Sequence, residues 1–171
     1  MRILLSILFC VFIANAAVPN GAVVTQSVTI NSAYVSETSS HFLLQFKVPR
    51  TGLVAANCDS AKHVAVTGST DTVRVPRWVV FTTDTLFIYA DVSKCSSVNT
   101  VYNLHFGKTL NEVNSSSAFT NCGITSYWGF NEQSGANVAD YANGLALTVG
   151  GGSTLGNAGV FYKGLTGGPS G

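Results

Sequence analysis

Apolar and polar residues alternate with a period of two along much of this chain, and the helical period appears nowhere after the N-terminal segment. The clearest run is 41–48. Phe42, Leu44, Phe46 and Val48 fall on one face of an extended strand, and His41, Leu43, Gln45 and Lys47 fall on the other, as a strand with one buried face requires. Pro49 ends the run because proline has no N–H to give a ladder. Upstream, 23–30 is rich in Val and Thr, with Val24, Val28 and Ile30 on one face; 63–67, 73–75, 78–81, 85–90 and 100–106 are short runs of the same kind. Strands of this length, separated by polar turns such as 68–71, predict an all-β chain with a small antiparallel β-sandwich over 17–109. Residues 110–124 are polar, with few apolar anchors, and read as a linker. A second apolar stretch then opens. It predicts a strand over 127–131, a turn around Gly135, a short edge over 138–141, a tight turn at Asn143-Gly144, and strands over 145–149 and 159–162. Alternation puts Trp128 and Phe130 on one buried face and leaves Tyr127 freer.

The N-terminus changes the compartment. After Met1-Arg2, residues 3–13 form an apolar run broken only by Ser6, and Ala14-Asn15-Ala16 places small residues where a signal peptidase reads. The run is shorter than the roughly 20 residues a membrane-spanning helix needs, so 1–16 reads as a secretory signal peptide and the mature chain as exported, with no later membrane span. Cys10 leaves with the signal, so Cys58, Cys95 and Cys122 remain of the four cysteines. An oxidising compartment lets one pair bridge. Cys58–Cys95, both inside the first module, is the favoured pair; Cys95–Cys122 is the alternative, and the odd thiol can also have its partner beyond this sequence. No two cysteines or histidines have zinc-ligand spacing. Without Arg2, eight Lys and Arg face eight Asp and Glu, with no basic run; nothing is arranged to neutralise a phosphate backbone, which excludes nucleic acid as a partner. Asn114-Ser115-Ser116 is the one glycosylation sequon, in a stretch expected to be accessible.

Two resemblances add to this reading. Val28-Thr29-Ile30-Asn31, Val79-Val80-Phe81 and Tyr102-Asn103-Leu104-His105-Phe106-Gly107-Lys108 resemble, in order and spacing, the family called domain of unknown function 2341. Its members open on V-x-I-N and close on an aromatic strand ending Y-G-N; here Phe106 stands for the tyrosine and Lys108 for the asparagine. The resemblance covers about 23–108 and implies a small β-sandwich of surface and secreted proteins. Tyr127-Trp128-Gly129-Phe130-Asn131-Glu132-Gln133-Ser134-Gly135 is similar to the opening of laminin-G-like, or concanavalin-like, jelly rolls. Asp140-Tyr141-Ala142-Asn143-Gly144 fits their D-x-x-x-N-G continuation with one residue fewer. That resemblance covers about 125–165, far less than such a domain needs to close two sheets. Residues 125–171 therefore read as the N-terminal part of an incomplete jelly roll, with a flexible tail: nine of the 17 glycines fall in 150–171.

Candidate chemistry is sparse. A concanavalin-like glycosidase needs two converging carboxylates, but its usual E-x-D-x-x-E strand is absent; Glu132 and Asp140 read as turn-holding acids. His41, His63 and His105 have no G-x-S-x-G elbow to serve and read as surface histidines on strands. Gly150-Gly151-Gly152 lacks the lysine and the spacing of a phosphate loop. Tyr127, Trp128, Tyr141 and Tyr162, with Trp78 in the first module, are the rings that could stack on sugar faces. Asp140 and Asn143 could begin a calcium cage, as some laminin-G-like domains have, but the later ligands are missing. No catalytic residue and no cofactor is assigned. The expectation is a secreted, non-enzymatic binding or adhesion protein that recognises glycans or cell-surface proteins through its jelly-roll module. The alternative is a structural component of a cell surface or virion appendage; a secreted glycoside hydrolase ranks third.

Overall fold

The computed structural model describes residues 18–130, 136–148, 154–158 and 163–166. The expected signal peptide, Glu132 and the turn at Gly135, the Gly150–Gly152 run and the expected strand at 159–162 with Tyr162 lie outside the described residues. Strands β1 (Val24–Ile30), β2 (Ser39–Pro49), β3 (Val64–Gly68), β4 (Arg77–Phe81), β5 (Thr85–Lys94) and β6 (Thr100–Phe106) follow the predicted runs. They pair antiparallel as two three-stranded sheets, β1–β6–β3 and β2–β5–β4. The chain is all-β.

Alternation decides what each sheet buries. Val28, Ile30, Val64, Val66, Leu104 and Phe106 from the first sheet meet Phe46, Val48, Val79, Leu86, Ile88 and Val92 from the second in one apolar core, giving a sandwich-like pair of layers. Each such side chain contributes roughly 1.5–3 kcal/mol by leaving water. The crossover between sheets is set by Pro76. Residues 73–75 turn back along β3, with Gly68 N donating to Val73 O (3.3 Å) and Val75 N to Val66 O (2.9 Å). Pro76 has no N–H to continue that ladder, and the chain passes to β4 in the other sheet. Gly107, just after β6, touches the Gly21 carbonyl so closely that no Cβ fits between them.

Arg77 closes the β3/β4 side of the core. The residue is 3% exposed, and its guanidinium donates from Nε to Val64 O (3.0 Å), from Nη2 to Ala61 O (2.9 Å) and from Nη1 to Asn114 Oδ1 (2.6 Å). Burial lowers its pKa to about 10, with Glu112 pulling the other way, so the group stays charged at neutral pH.

The stretch expected as a linker is instead fastened along its length. Leu110 is buried; Glu112 N donates to Lys62 O and Ser115 N to Arg77 O. A single turn of helix, α1 (Ser117–Thr120), buries Ala118 and Phe119 completely. Phe119 sits on the outer face of the second sheet with Phe87, Tyr89, Tyr141 and Ala142, and Leu43, Trp78, Val80, Ile124 and Tyr127 pack around them. Asp91, on that face of β5, receives Asn121 Nδ2 (2.8 Å) and the Cys122 thiol (3.4 Å) and faces His41 Nδ1 (3.0 Å). A polar composition concealed this, because two apolar residues are enough to dock a turn on a face already lined with rings.

Beyond it, β7 (Asn137–Ala139) pairs with β8 (Ala146–Thr148), and β9 (Thr154–Ala158) with β10 (Lys163–Thr166). The strand expected from Tyr127 is reduced to one bridge, Trp128 to Asp140, and Phe130 is left-handed at φ 51°. With no strand there, alternation does not apply: Tyr127 packs into the ring cluster and Trp128 is 39% exposed, the reverse of expectation. Replacing Phe119 by alanine is expected to cost about 3–5 kcal/mol, read as a lower midpoint in urea unfolding of the full chain; a change below about 1 kcal/mol means the ring does not dock this segment.

Candidate functional site

The turn at Asp140 is built from its own backbone. Asp140 Oδ1 accepts from Tyr127 N (2.9 Å), Ala142 N (2.9 Å) and Asn143 N (3.4 Å), an Asx-type turn. Burial acts to raise this carboxyl, but those N–H donors outweigh it and hold it below its ordinary range. Asp140 Oδ2 is buried without a hydrogen-bond partner. The Asn143 amide donates to Thr125 O (2.9 Å), and its oxygen accepts from Leu145 N (2.9 Å), while Gly144 at φ 78° completes the predicted tight turn. Both residues proposed for a calcium cage are therefore engaged in holding the turn. Among the described residues, no three His, Cys, Asp or Glu side chains gather as a metal group. The rings singled out for sugar stacking pack on one another instead. Trp78 stacks on Tyr141 (5.0 Å between centroids) and Phe119 on Tyr127 (4.9 Å), which leaves Trp128 as the exposed ring of the set among the described residues.

Each of the three histidines faces a carboxylate: His41 with Asp91, His63 with Asp59, His105 with Asp71. Two depart from the surface reading, His63 with a 13% exposed side chain and His105 with none exposed. His105 points away from the apolar core, on the outer face of the first sheet. Its Nδ1 lies 2.9 Å from Thr25 Oγ1, and its Nε2 lies 2.9 Å from Thr67 Oγ1 and 3.1 Å from Asp71 Oδ1. Thr67 Oγ1 and Asn103 Nδ2 donate to the same Asp71 oxygen, and Ser27 Oγ donates to Asn103 Oδ1 (2.6 Å). This network ties β1, β6 and β3 together across their polar face. Burial pushes the His105 pKa below its ordinary value, against the pull of Asp71.

One open concavity among the described residues lies at an end of the two sheets, where the chain leaves β2, turns between β4 and β5 and leaves β6. A cleft of about 430 Å³ is lined there by Arg50, Thr51, Asn57, Asp59, Thr83 and Lys108, with Leu53, Val54 and Cys58 in its wall. Arg50 follows the strand-ending Pro49. Its Nη1 donates to Thr82 O (3.2 Å) and Thr83 O (3.1 Å), and its guanidinium carbon lies 5.7 Å from the Phe81 ring centre. Asn57 is left-handed at φ 47° and caps the 3₁₀ turn Arg50–Ala56. Asp59 Oδ1 is 2.9 Å from His63 Nδ1. The Cys58 thiol donates to His63 O (3.5 Å), and burial, with the Asp59 charge, raises its pKa to about 11; it is a neutral wall group, not a nucleophile. Sequence reasoning missed this cleft because its two cations stand 58 positions apart. The available signal was topological: residues following β2 and β6 share one end of the layers.

The cysteines do not pair as expected. Cys58, Cys95 and Cys122 are all free. Cys58 belongs to the cleft beside Thr83, at the start of β5, whereas Cys95 follows Lys94 at its other end, near Thr38 and Ser97. Ten residues of strand separate the two ends by roughly 30 Å, and a disulfide spans no more than about 7 Å between Cα atoms. Cys122 is held at Asp91. Asn114 is also not the free loop residue its sequon implied. Its Oδ1 accepts from Val79 N (2.9 Å) and Arg77, and its Nδ2 donates to Val79 O (3.1 Å), so its amide pairs with β4 as a strand would.

Comparison with family models, with curated proteins and with solved structures finds no match to this chain.

Two outcomes test this geometry. Asn114→Ala is expected to lower unfolding free energy by about 2–3 kcal/mol, because it strands a buried N–H and one Arg77 donor; a shift under about 0.5 kcal/mol shows the amide is replaceable by water. A buried His105 with a lowered pKa stabilises the fold above the unfolded-state value near 6.5, and the contribution falls away as pH drops from there toward the folded-state value. Melting temperature measured from pH 8 to 5 is expected to fall below pH 6.5, with a flatter limb in His105→Gln; identical limbs would remove His105 as the cause.

Proposed function

We propose that this chain is a secreted, non-enzymatic recognition protein that binds glycans or cell-surface partners. The observation that carries the reading is the Arg50–Lys108 cleft: a concave site large enough for one or two sugar rings, lined by hydroxyl, amide and charged groups at the loop end of a rigid β scaffold, where recognition residues commonly sit. Export rests on the signal-peptide pattern of 1–16. Binding is preferred to hydrolysis because Asp140 is engaged by its own turn. The laminin-G-like and domain of unknown function 2341 resemblances support the same class of job, but the site moves from the second module to the end of the first.

The reading of the chain as a structural spacer draws on one observation, the packing of Tyr127 and Tyr141 against the sheet rather than toward solvent. Presenting the fluorescently labelled full chain to a glycan array separates the two. Retention on a defined subset of glycans is the expected result; no retention on any glycan leaves the spacer reading.

A further inference from the structure

We infer that the ligand of the Arg50–Lys108 cleft is a carboxylate-bearing saccharide, a uronic-acid-type sugar whose acid group is received by the two cations. The inference rests on the recognition role proposed above and names its ligand class. In a chain with so few charges, this cleft is lined by two cations at once, Arg50 and Lys108. Arg74 is matched by Glu112 and Lys94 by Glu37, Arg77 donates to two carbonyls and Asn114, and Lys47 and Lys62 lie outside the cleft. Among the described residues, neither Arg50 nor Lys108 has a carboxylate within ion-pair distance.

Arg50 is also pre-oriented. One arm of its fork is fixed by the Thr82 and Thr83 carbonyls, and among the described residues its Nε and Nη2 make no hydrogen bond. Held guanidinium donors match the two oxygens of a carboxylate and lose little freedom on receiving it. Lys108, exposed just after β6, adds a point charge to the same lining.

The rest of the lining selects a sugar acid over a bare anion. Asp59 stands in the same cleft and repels a doubly charged phosphate monoester more strongly than a singly charged carboxylate, while its oxygens can accept sugar hydroxyls. Asn57, Thr51 and Thr83 offer both donors and acceptors, and Val54, 73% exposed, offers an apolar contact for ring C–H groups.

Calorimetric titration of the full chain with oligomers of glucuronic and galacturonic acid, their neutral glucose and galactose counterparts, and sulfated versions of the neutral sugars tests the assignment. The acidic sugars are expected to bind at least tenfold more tightly than the neutral ones, to weaken as salt rises, and to lose at least tenfold in Lys108→Gln. Arg50→Gln is expected to lose as much; because Arg50 also holds the β4–β5 turn, the exposed Lys108 variant carries the test if the Arg50 variant unfolds. Equal affinity for acidic and neutral sugars, or acidic binding indifferent to Lys108→Gln, overturns the inference and leaves glycan recognition standing. Tighter binding of the sulfated sugars overturns the carboxylate assignment. Absence of binding to all of these saccharides overturns the uronic-acid assignment, and the glycan array then decides separately whether glycan recognition stands.

Discussion

The buried guanidinium of Arg77 is the constraint on which the arrangement depends. It starts β4 in the second sheet and donates to Val64 O in the first, so it spans the open side of the sandwich where the two layers would otherwise part. Its partners are carbonyl and amide oxygens, with no carboxylate in contact among the described residues, and a buried charge held that way depends on those bonds. Asn114 satisfies one of them, and in doing so is drawn against β4. That placement delivers α1 and Phe119 to the outer face of the second sheet, and Phe119 in turn gives Tyr127 and Tyr141 something to pack on. One cation thus helps to set the path of the chain from Asn114 to Tyr141.

Polar satisfaction, more than apolar burial, distinguishes the two faces of the first sheet. Its inner face is Val, Leu and Phe. Its outer face is a chain of hydroxyl, amide, imidazole and carboxylate groups from Thr25 to Ser27, closed over by Asp71. Such a network specifies register: sliding β1 by one residue against β6 would bring Thr25 and Ser27 to the apolar side and Val24 and Val28 to the polar one.

The six strands of the sandwich were legible in the sequence because a period of two is a local signal, and 41–48 carries it almost without error. What was not legible depends on distant partners. Phe119 lies in a polar stretch, and only the rings of β4 and β5 make it a core residue. Trp128 and Tyr127 exchanged roles because Phe130 leaves the extended region, so the alternation used to place them had no strand to act on. His105 sits in a strand whose two faces are both buried, which its alternation does not reveal. The cysteine pairing failed on distance along β5, a quantity that spacing in sequence does not contain. The cleft escaped notice because Arg50 and Lys108 meet only once the ends of β2 and β6 are brought to the same rim.

Asn114 has a consequence beyond its bonds. A sheet edge with open N–H and C=O groups is a template for another chain, and charged side chains are the usual deterrent. This protein carries few of them. At the β4 edge it uses one carboxamide in place of a flanking strand, presenting donor and acceptor to Val79 as a neighbouring backbone would. With Ser115 N on Arg77 O beside it, this carboxamide covers the β4 edge, and it stands in the very tripeptide that a glycosylating enzyme would read. A sugar attached to that amide and the pairing of the amide with β4 exclude one another, since both use the same nitrogen.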